Sequence, residues 1–175
     1  MLKPISYSVV IIPPPPVRTR LVKLRRLSPL LDSALPPHIT VKSPFFLRQT
    51  GARVLEQIRR ICSTLPSFPI QLKGIGSFES TVIYVQIVPS QELVTLHTRL
   101  EEALAGYVEP IVEEHDPREF SPHLTLASKL SPAEFSKLRA LLSGRTFEWE
   151  FSVDRVYLLS GPPRSRIERS VELLH

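Results

Sequence analysis

Two short stretches of the sequence carry histidine and threonine at the same spacing. They are Pro37-His38-Ile39-Thr40-Val41 and Pro122-His123-Leu124-Thr125-Leu126. In each stretch polar side chains alternate with apolar ones, which is typical of a β-strand with one polar face and one buried face. The imidazole and the hydroxyl therefore point the same way, with Cα atoms about 6.6 Å apart along the strand, so both can contact one small anion.

These residue types suit proton transfer beside a bound anion. An imidazole, with an unperturbed pKa of about 6.5, can accept or donate a proton near neutral pH. A threonine hydroxyl can donate a hydrogen bond to an oxygen that gains negative charge in a transition state. One half-buried histidine is more often structural, but two equivalent copies favour a functional pair. We therefore take His38 and His123 as candidate catalytic residues, and Thr40 and Thr125 as candidate ligands of a small anion.

The elements around the two stretches follow one order in both halves of the chain. In the first half, the apolar patterns, prolines and capping residues predict a strand over 5–12, a basic helix, the His38 strand, a helix capped by Thr50, and a strand over 68–78. In the second half they predict a strand over 82–88, a helix capped by Ser90, an irregular acidic stretch over 109–119, the His123 strand, a helix from Ser131 to about Leu142, one long strand or a bent pair over 147–159, and an edge strand over 166–173.

This repeated order predicts an internal duplication. The first strands of the two halves begin at about residues 5 and 82, an offset similar to that between the two histidines. We expect an α+β fold of duplicated β-α-β-α-β lobes with pseudo-twofold symmetry, in which two antiparallel-rich sheets, one per half, flank a central cleft. The chain is expected to form one domain over 1–175, with halves of approximately 1–80 and 81–175.

Two local patterns make sharper predictions. Ser131-Pro132-Ala133-Glu134 combines an N-cap, a proline at the first helical position and the acid of a capping box. Gly74 and Gly76 lie inside a predicted strand, where glycine indicates a bulge or a close approach of backbone.

Composition places the chain among ordinary globular proteins, with 42% hydrophobic and 22% charged residues. The single cysteine, Cys62, excludes an intrachain disulfide and indicates a reducing compartment. The apolar run before the four prolines at 13–16 is too short for a signal peptide or a membrane span. We expect a cytoplasmic monomer with no membrane contact.

The net charge of +5 is unevenly distributed. Residues 1–88 carry 12 Lys and Arg against 3 Asp and Glu, which gives +9, whereas residues 89–175 carry 10 against 14, which gives −4. A basic half can attract a polyanion such as RNA, but it can equally be a solvated helix surface without a partner. Both interpretations stay open at this point.

The two motifs resemble those of the two-histidine (2H) phosphoesterase superfamily, which includes 2′-5′ RNA ligase and cyclic nucleotide phosphodiesterase groups. The resemblance covers nearly the whole chain, and the lead-in Pro36-Pro37-His38 and the first strand are most similar to short bacterial 2′-5′ RNA ligase-like members. It implies a phosphodiesterase that opens 2′,3′-cyclic phosphate ends of RNA or nucleotides and can join such an end to a 5′-hydroxyl in reverse. His38 and His123 would be general acid and base, in either order, and Thr40 and Thr125 would bind phosphate, with no metal or cofactor.

Two rival interpretations remain. Two histidines can ligate zinc, but neither motif has a Cys, Asp or Glu nearby on the same face as a further ligand. The fold could also serve as a catalytically silent module that binds RNA or a nucleotide. Lys42 has two readings as well: on the same strand face as His38 and Thr40 it could contact phosphate, or it could be a solvated lysine at the rim.

Overall fold

Two antiparallel sheets and four helices account for most of the chain in the computed structural model, which describes residues 4–27, 35–111, 120–161 and 165–174. The strands in these ranges are β1 (Tyr7–Ile11), β2 (Ile39–Leu47), β3 (Phe68–Phe78), β4 (Val82–Ile87), β5 (Val108–Pro110), β6 (His123–Ala127), β7 (Glu148–Val153), β8 (Arg155–Ser160) and β9 (Arg166–Glu172). The helices are α1 (Pro15–Arg25), α2 (Gly51–Cys62), α3 (Gln91–Leu104) and α4 (Pro132–Leu142). Within the described ranges, no helix has the length and apolar character needed to cross a membrane.

The five-stranded sheet has the order β5-β2-β1-β8-β9, and the four-stranded sheet has the order β6-β4-β3-β7. Neighbouring strands are antiparallel in both sheets. The predicted α+β class with two antiparallel sheets is therefore confirmed.

The assignment of one sheet to each half of the chain is wrong. The five-stranded sheet takes β5, β8 and β9 from the second half, and the four-stranded sheet takes β3 from the first half. The chain passes from the four-stranded sheet to the five-stranded sheet within the predicted bent pair. Asp154 separates β7, which pairs with β3, from β8, which pairs with β1. A period-two pattern shows which residues share a face but does not identify the partner strand.

The helices are exchanged in the same way. α2 and α3 pack against each other and contact β9 and β2 of the five-stranded sheet, whereas α1 and α4 contact β6 and β4 of the four-stranded sheet. Each sheet is therefore covered by one helix from each half of the chain. The apolar faces between them form the main core, in which the largest fully buried side chains include Phe45, Leu21, Ile58, Leu96 and Leu100.

The ends of the helices follow the capping residues in the sequence. Arg53 N donates to Thr50 Oγ1 at the start of α2, and Leu93 N donates to Ser90 Oγ at 3.2 Å at the start of α3. The predicted capping box of α4 is present, since Ser131 and Glu134 satisfy each other's backbone N–H groups. Helix α1 begins inside the run of prolines, at Pro15, where the missing N–H is not needed for helical hydrogen bonding.

Both glycines in β3 have the predicted roles. Gly74 has φ +80° at an irregularity in the pairing with β4, between Leu72 and Ile75. Such a left-handed conformation favours glycine. At Gly76 an added Cβ would lie 2.5 Å from ring atoms of Tyr84, so this glycine lets the tyrosine ring lie against the strand.

Strand β5 was not predicted, because the sequence there was assigned to an irregular acidic stretch. It pairs with the end of β2 over three residues and contains Pro110, and proline is tolerated at the edge of a sheet. A strand this short has too little alternation to be recognised from its pattern. The remainder of the predicted irregular stretch, over 112–119, lies outside the described residues.

The Ser90 cap gives a test of the local reasoning. Ser90→Ala removes the acceptor for Leu93 N, so the free energy of unfolding should fall by about 1 kcal/mol. Urea denaturation of the wild type and the variant measures the difference. Ser136→Ala, at an exposed position within α4, is the matched control and should change stability by less than about 0.5 kcal/mol. Equal effects from the two changes would contradict the capping role.

Candidate active site

The two candidate histidines are held by the same local hydrogen bond. His38, immediately before β2, lies with Nδ1 2.9 Å from the Pro36 carbonyl oxygen. His123, the first residue of β6, lies with Nδ1 2.9 Å from the Ser121 carbonyl oxygen. Because a carbonyl oxygen only accepts, the hydrogen is assigned to Nδ1 in both rings. In the neutral form each ring then presents Nε2 as its proton acceptor.

A proline stands between the accepting carbonyl and the histidine in both copies, at Pro37 and Pro122. Its ring fixes φ near −65° and favours extended backbone at the residue before it. The carbonyl two residues upstream is thereby placed beside the imidazole. Sequence analysis did not predict this hydrogen bond, although the repeated Pro-His pair was the signal for it.

The two motifs lie on strands of different sheets that pack against each other. β2 contacts β6, although the two strands share no hydrogen-bonded ladder. On β6, His123 lies opposite Gln86 and Thr125 lies opposite Tyr84, two positions apart on β4, so the imidazole and hydroxyl of the second motif share a face. Thr40 and Thr125 are both half-buried.

His38 occupies an environment that favours its neutral form. Burial is the largest cause that lowers its pKa below the usual value, and the positive charges of Arg25 and His123 lower it further. The hydrogen bond to Pro36 acts in the opposite direction but does not outweigh them. Arg25 lies at the end of α1, and its Nη1 donates to the Leu35 carbonyl at 2.8 Å. The cation is therefore held beside the lead-in to His38.

His123 is surrounded differently, by aromatic rings. The centroid of its ring lies 4.9 Å from that of Phe78, in an edge-on arrangement, and 5.2 Å from that of Tyr84. The rings of Phe78 and Tyr84 contact each other at 4.4 Å. These rings form an aromatic wall against the imidazole of His123. Sequence analysis identified neither Phe78 nor Tyr84. The signal for Tyr84 was its position between the apolar residues Ile83 and Val85, which places its side chain on the polar face of β4.

Both readings of Lys42 are wrong. Val10 pairs with Thr40 but Val9 pairs with Lys42, so β2 carries one extra residue, Val41, at this point. The bulge turns Lys42 to the helix side of the sheet, where Val9 is also buried. Its side chain is 4% exposed, and Nζ lies 2.6 Å from Glu101 Oε2 on α3. Lys42 therefore lies neither on the face of Thr40 nor in solvent.

Across the ranges that the structure describes, no three side chains of His, Cys, Asp or Glu lie together as a potential metal site.

The contact between Gly76 and Tyr84 allows a test of the aromatic wall. In Gly76→Ala the new methyl group collides with the tyrosine ring, so we expect a loss of about 1–3 kcal/mol in the free energy of unfolding. The imidazole proton resonances of His123 should also shift, because Tyr84 contacts its ring. Gly106→Ala is the matched control, since a Cβ there meets nothing within 4 Å. Unchanged His123 resonances in Gly76→Ala would contradict the contact.

The pKa of His38 provides a second test. A proton NMR titration should place this pKa below the usual value of about 6.5. Arg25→Gln should raise the pKa, because it removes a positive charge that opposes protonation of the ring. Arg20→Gln, at an exposed position on the same helix, should leave the pKa unchanged. A lower His38 pKa in Arg25→Gln would contradict the electrostatic explanation.

Comparison with known proteins identifies relatives over most of the chain. Residues 13–162 match the family model of the 2′-5′ RNA ligase superfamily. A protein of Oceanobacillus iheyensis named as a candidate phosphoesterase is 31% identical over 157 residues, which cover 88% of each chain. A similarly named protein of Geobacillus kaustophilus is 30% identical over 88% of this chain and 87% of its own length.

Solved structures show the same fold at lower identity. The E. coli protein LigT, crystallised with 3′-AMP, is similar with a TM-score of 0.68 at 19% identity, over 99% of this chain and all of that chain. A Thermus thermophilus protein gives a TM-score of 0.68 at 17% identity, over 96% of this chain and 97% of its own. The resemblance seen in the two motifs is confirmed by the family model and the bacterial relatives: this chain belongs to the 2′-5′ RNA ligase superfamily.

Proposed function

We propose that this protein is a metal-independent phosphoesterase that opens 2′,3′-cyclic phosphate ends of RNA or nucleotides. The observation that carries the proposal is the identical hydrogen bond from Nδ1 of each motif histidine to the carbonyl two residues upstream, on two strands that contact each other. With the hydrogen on Nδ1, each neutral ring has its lone pair on Nε2, so the two histidines exchange protons through equivalent atoms. A general acid and a general base on opposite sides of a phosphorus atom require such a pair.

The ligands of solved relatives support a phosphorylated substrate. Structures of E. coli LigT have been solved with 3′-AMP, with NADP⁺, with ATP and with phosphate. These ligands share phosphate groups, and most carry a nucleoside. A nucleotide or an RNA end is therefore the substrate class that we propose for this chain, and the excess of basic residues in its first half suits a polyanion.

The lowered pKa of His38 supports a division of roles between the two histidines. His38, whose neutral form is favoured by burial and by the charge of Arg25, is the proposed base, and His123 is the proposed acid. His38 Nε2 takes a proton from water, the water oxygen bonds to phosphorus, and the bond from phosphorus to O3′ breaks. His123 Nε2 gives its proton to O3′, which leaves a 2′-phosphate. The Pro36 carbonyl stabilises the imidazolium that forms on His38.

The two threonines stabilise the phosphate during this step. As phosphorus becomes five-coordinate, negative charge grows on its two non-bridging oxygens, and hydrogen bonds from Thr40 and Thr125 hydroxyls become stronger. If a 5′-hydroxyl replaces water, the same proton transfers join the two ends through a 2′-5′ linkage. The direction then depends on which nucleophile is present.

Substitution of the four motif residues tests this assignment. His38→Ala or His123→Ala should lower kcat for a 2′,3′-cyclic nucleotide by about 10² to 10⁴, the usual contribution of one acid or base. Thr40→Ala or Thr125→Ala should lower it by about 10² to 10³. Thr64→Ala, on an exposed threonine after α2, is the control and should retain full activity. Full activity in His123→Ala would show that the two histidines do not act as a pair.

The pH profile, a chelator and the identity of the product test the mechanism together. The profile of kcat/KM should be bell-shaped, with its acid limb below pH 6.5 if His38 sets it, because protonated His38 cannot accept a proton. A chelator should not change the rate, and the product should be a 2′-phosphate. A 3′-phosphate would overturn the choice of leaving group, whereas inhibition by the chelator would overturn the metal-free mechanism. Binding of cyclic nucleotides without turnover would instead indicate a silent binding module.

A further inference from the structure

His97 of α3 contacts the surroundings of both motifs, although it belongs to neither. Its Nδ1 lies 2.7 Å from the Val41 carbonyl oxygen, and it donates there because a carbonyl only accepts. Its ring stacks on Phe120, with centroids 4.0 Å apart and planes 6° apart. One imidazole therefore connects two segments that are far apart in the sequence.

The contact to Val41 lies at the bulge of the first motif. Val41 is the extra residue that breaks the register between β2 and β1, directly after Thr40. A bulge disrupts the regular ladder locally, so backbone groups there can bond to a partner outside the sheet. His97 supplies such a partner to the Val41 carbonyl from α3. The hydrogen bond therefore acts on the backbone directly after Thr40, three residues along the chain from His38.

A second contact from the same helix reinforces the first. Glu101 follows His97 by one helical turn and therefore lies on the same face of α3. Its Oε2 pairs with Lys42 Nζ at 2.6 Å, and Lys42 follows Val41 directly. Helix α3 thus holds two consecutive residues of the bulge, one through its backbone and the other through a buried side chain.

The contact to Phe120 lies at the lead-in of the second motif. Phe120 directly precedes Ser121, whose carbonyl accepts the hydrogen bond from His123 Nδ1. A parallel stack at 4.0 Å restricts both the position and the tilt of the Phe120 ring. The segment that orients His123 is therefore attached to the same imidazole that supports the strand of His38.

We propose that His97 is a positioning residue that fixes the alignment of the two motifs across the cleft. Its hydrogen bond sets the backbone of the first motif, and its ring sets the lead-in of the second. The catalytic consequence rests on the proposed function, because a misplacement of about 1 Å can lower a rate about 10²-fold.

Two substitutions separate the two contacts. His97→Asn keeps an N–H donor near the position of Nδ1 but lacks the ring, and His97→Phe keeps a flat ring but lacks the donor. In NMR spectra of the ligand-free protein, His97→Phe should shift the imidazole resonances of His38 more than those of His123. His97→Asn should have the opposite pattern, and His97→Ala should shift both. Glu102→Gln, at an exposed position on α3, is the matched control and should shift neither.

Kinetics on a 2′,3′-cyclic nucleotide test the catalytic consequence. His97→Ala should lower kcat by about 10- to 100-fold with a much smaller change in KM, because alignment of the reacting groups is lost rather than substrate binding. The fraction of folded protein, from urea denaturation, corrects each rate. The proposal would be overturned if the corrected kcat of His97→Ala equalled that of the wild type. It would also be overturned if the imidazole resonances of His38 and His123 were unchanged in His97→Ala. An inactive wild-type protein would contradict the proposed function only, since the NMR patterns still decide whether His97 positions the motifs.

Discussion

The fold depends on one constraint: each sheet is completed by strands from the other half of the chain. β3 leaves the first half to pair with β4 and β7, and β8 returns from the second half to pair with β1. Strands β2 and β6, which carry the two motifs, are neighbours across the boundary between the sheets. The motifs therefore come together through the packing of the two sheets rather than through a shared hydrogen-bonded ladder.

The repeated motifs are alike locally and unlike in their surroundings. Both histidines donate to a carbonyl two residues upstream, with the same distance between the atoms. Burial and Arg25 act on His38, whereas aromatic rings of β3 and β4 contact His123. The two motif histidines therefore lie in different environments, and burial together with Arg25 lowers the pKa of His38.

Much of this arrangement could be predicted from local patterns. Alternation placed His123 and Thr125 on one face, capping residues marked the starts of α2, α3 and α4, and the two glycines of β3 indicated a bulge or a close approach. Features that depend on partners distant in sequence could not be predicted. The burial of Lys42 requires a bulge whose position is set by the register with β1, and the role of His97 requires knowing which sheet α3 covers. Local periodicity contains neither kind of information.

The bond between each histidine and its upstream carbonyl spans only three residues of chain. It therefore needs no helix, no second sheet and no distant side chain to form, and proline restricts the unfolded segment to conformations close to the one required. A duplicated segment of this kind can form the same hydrogen bond in its new position, so the imidazole keeps the same tautomer whatever its new neighbours are.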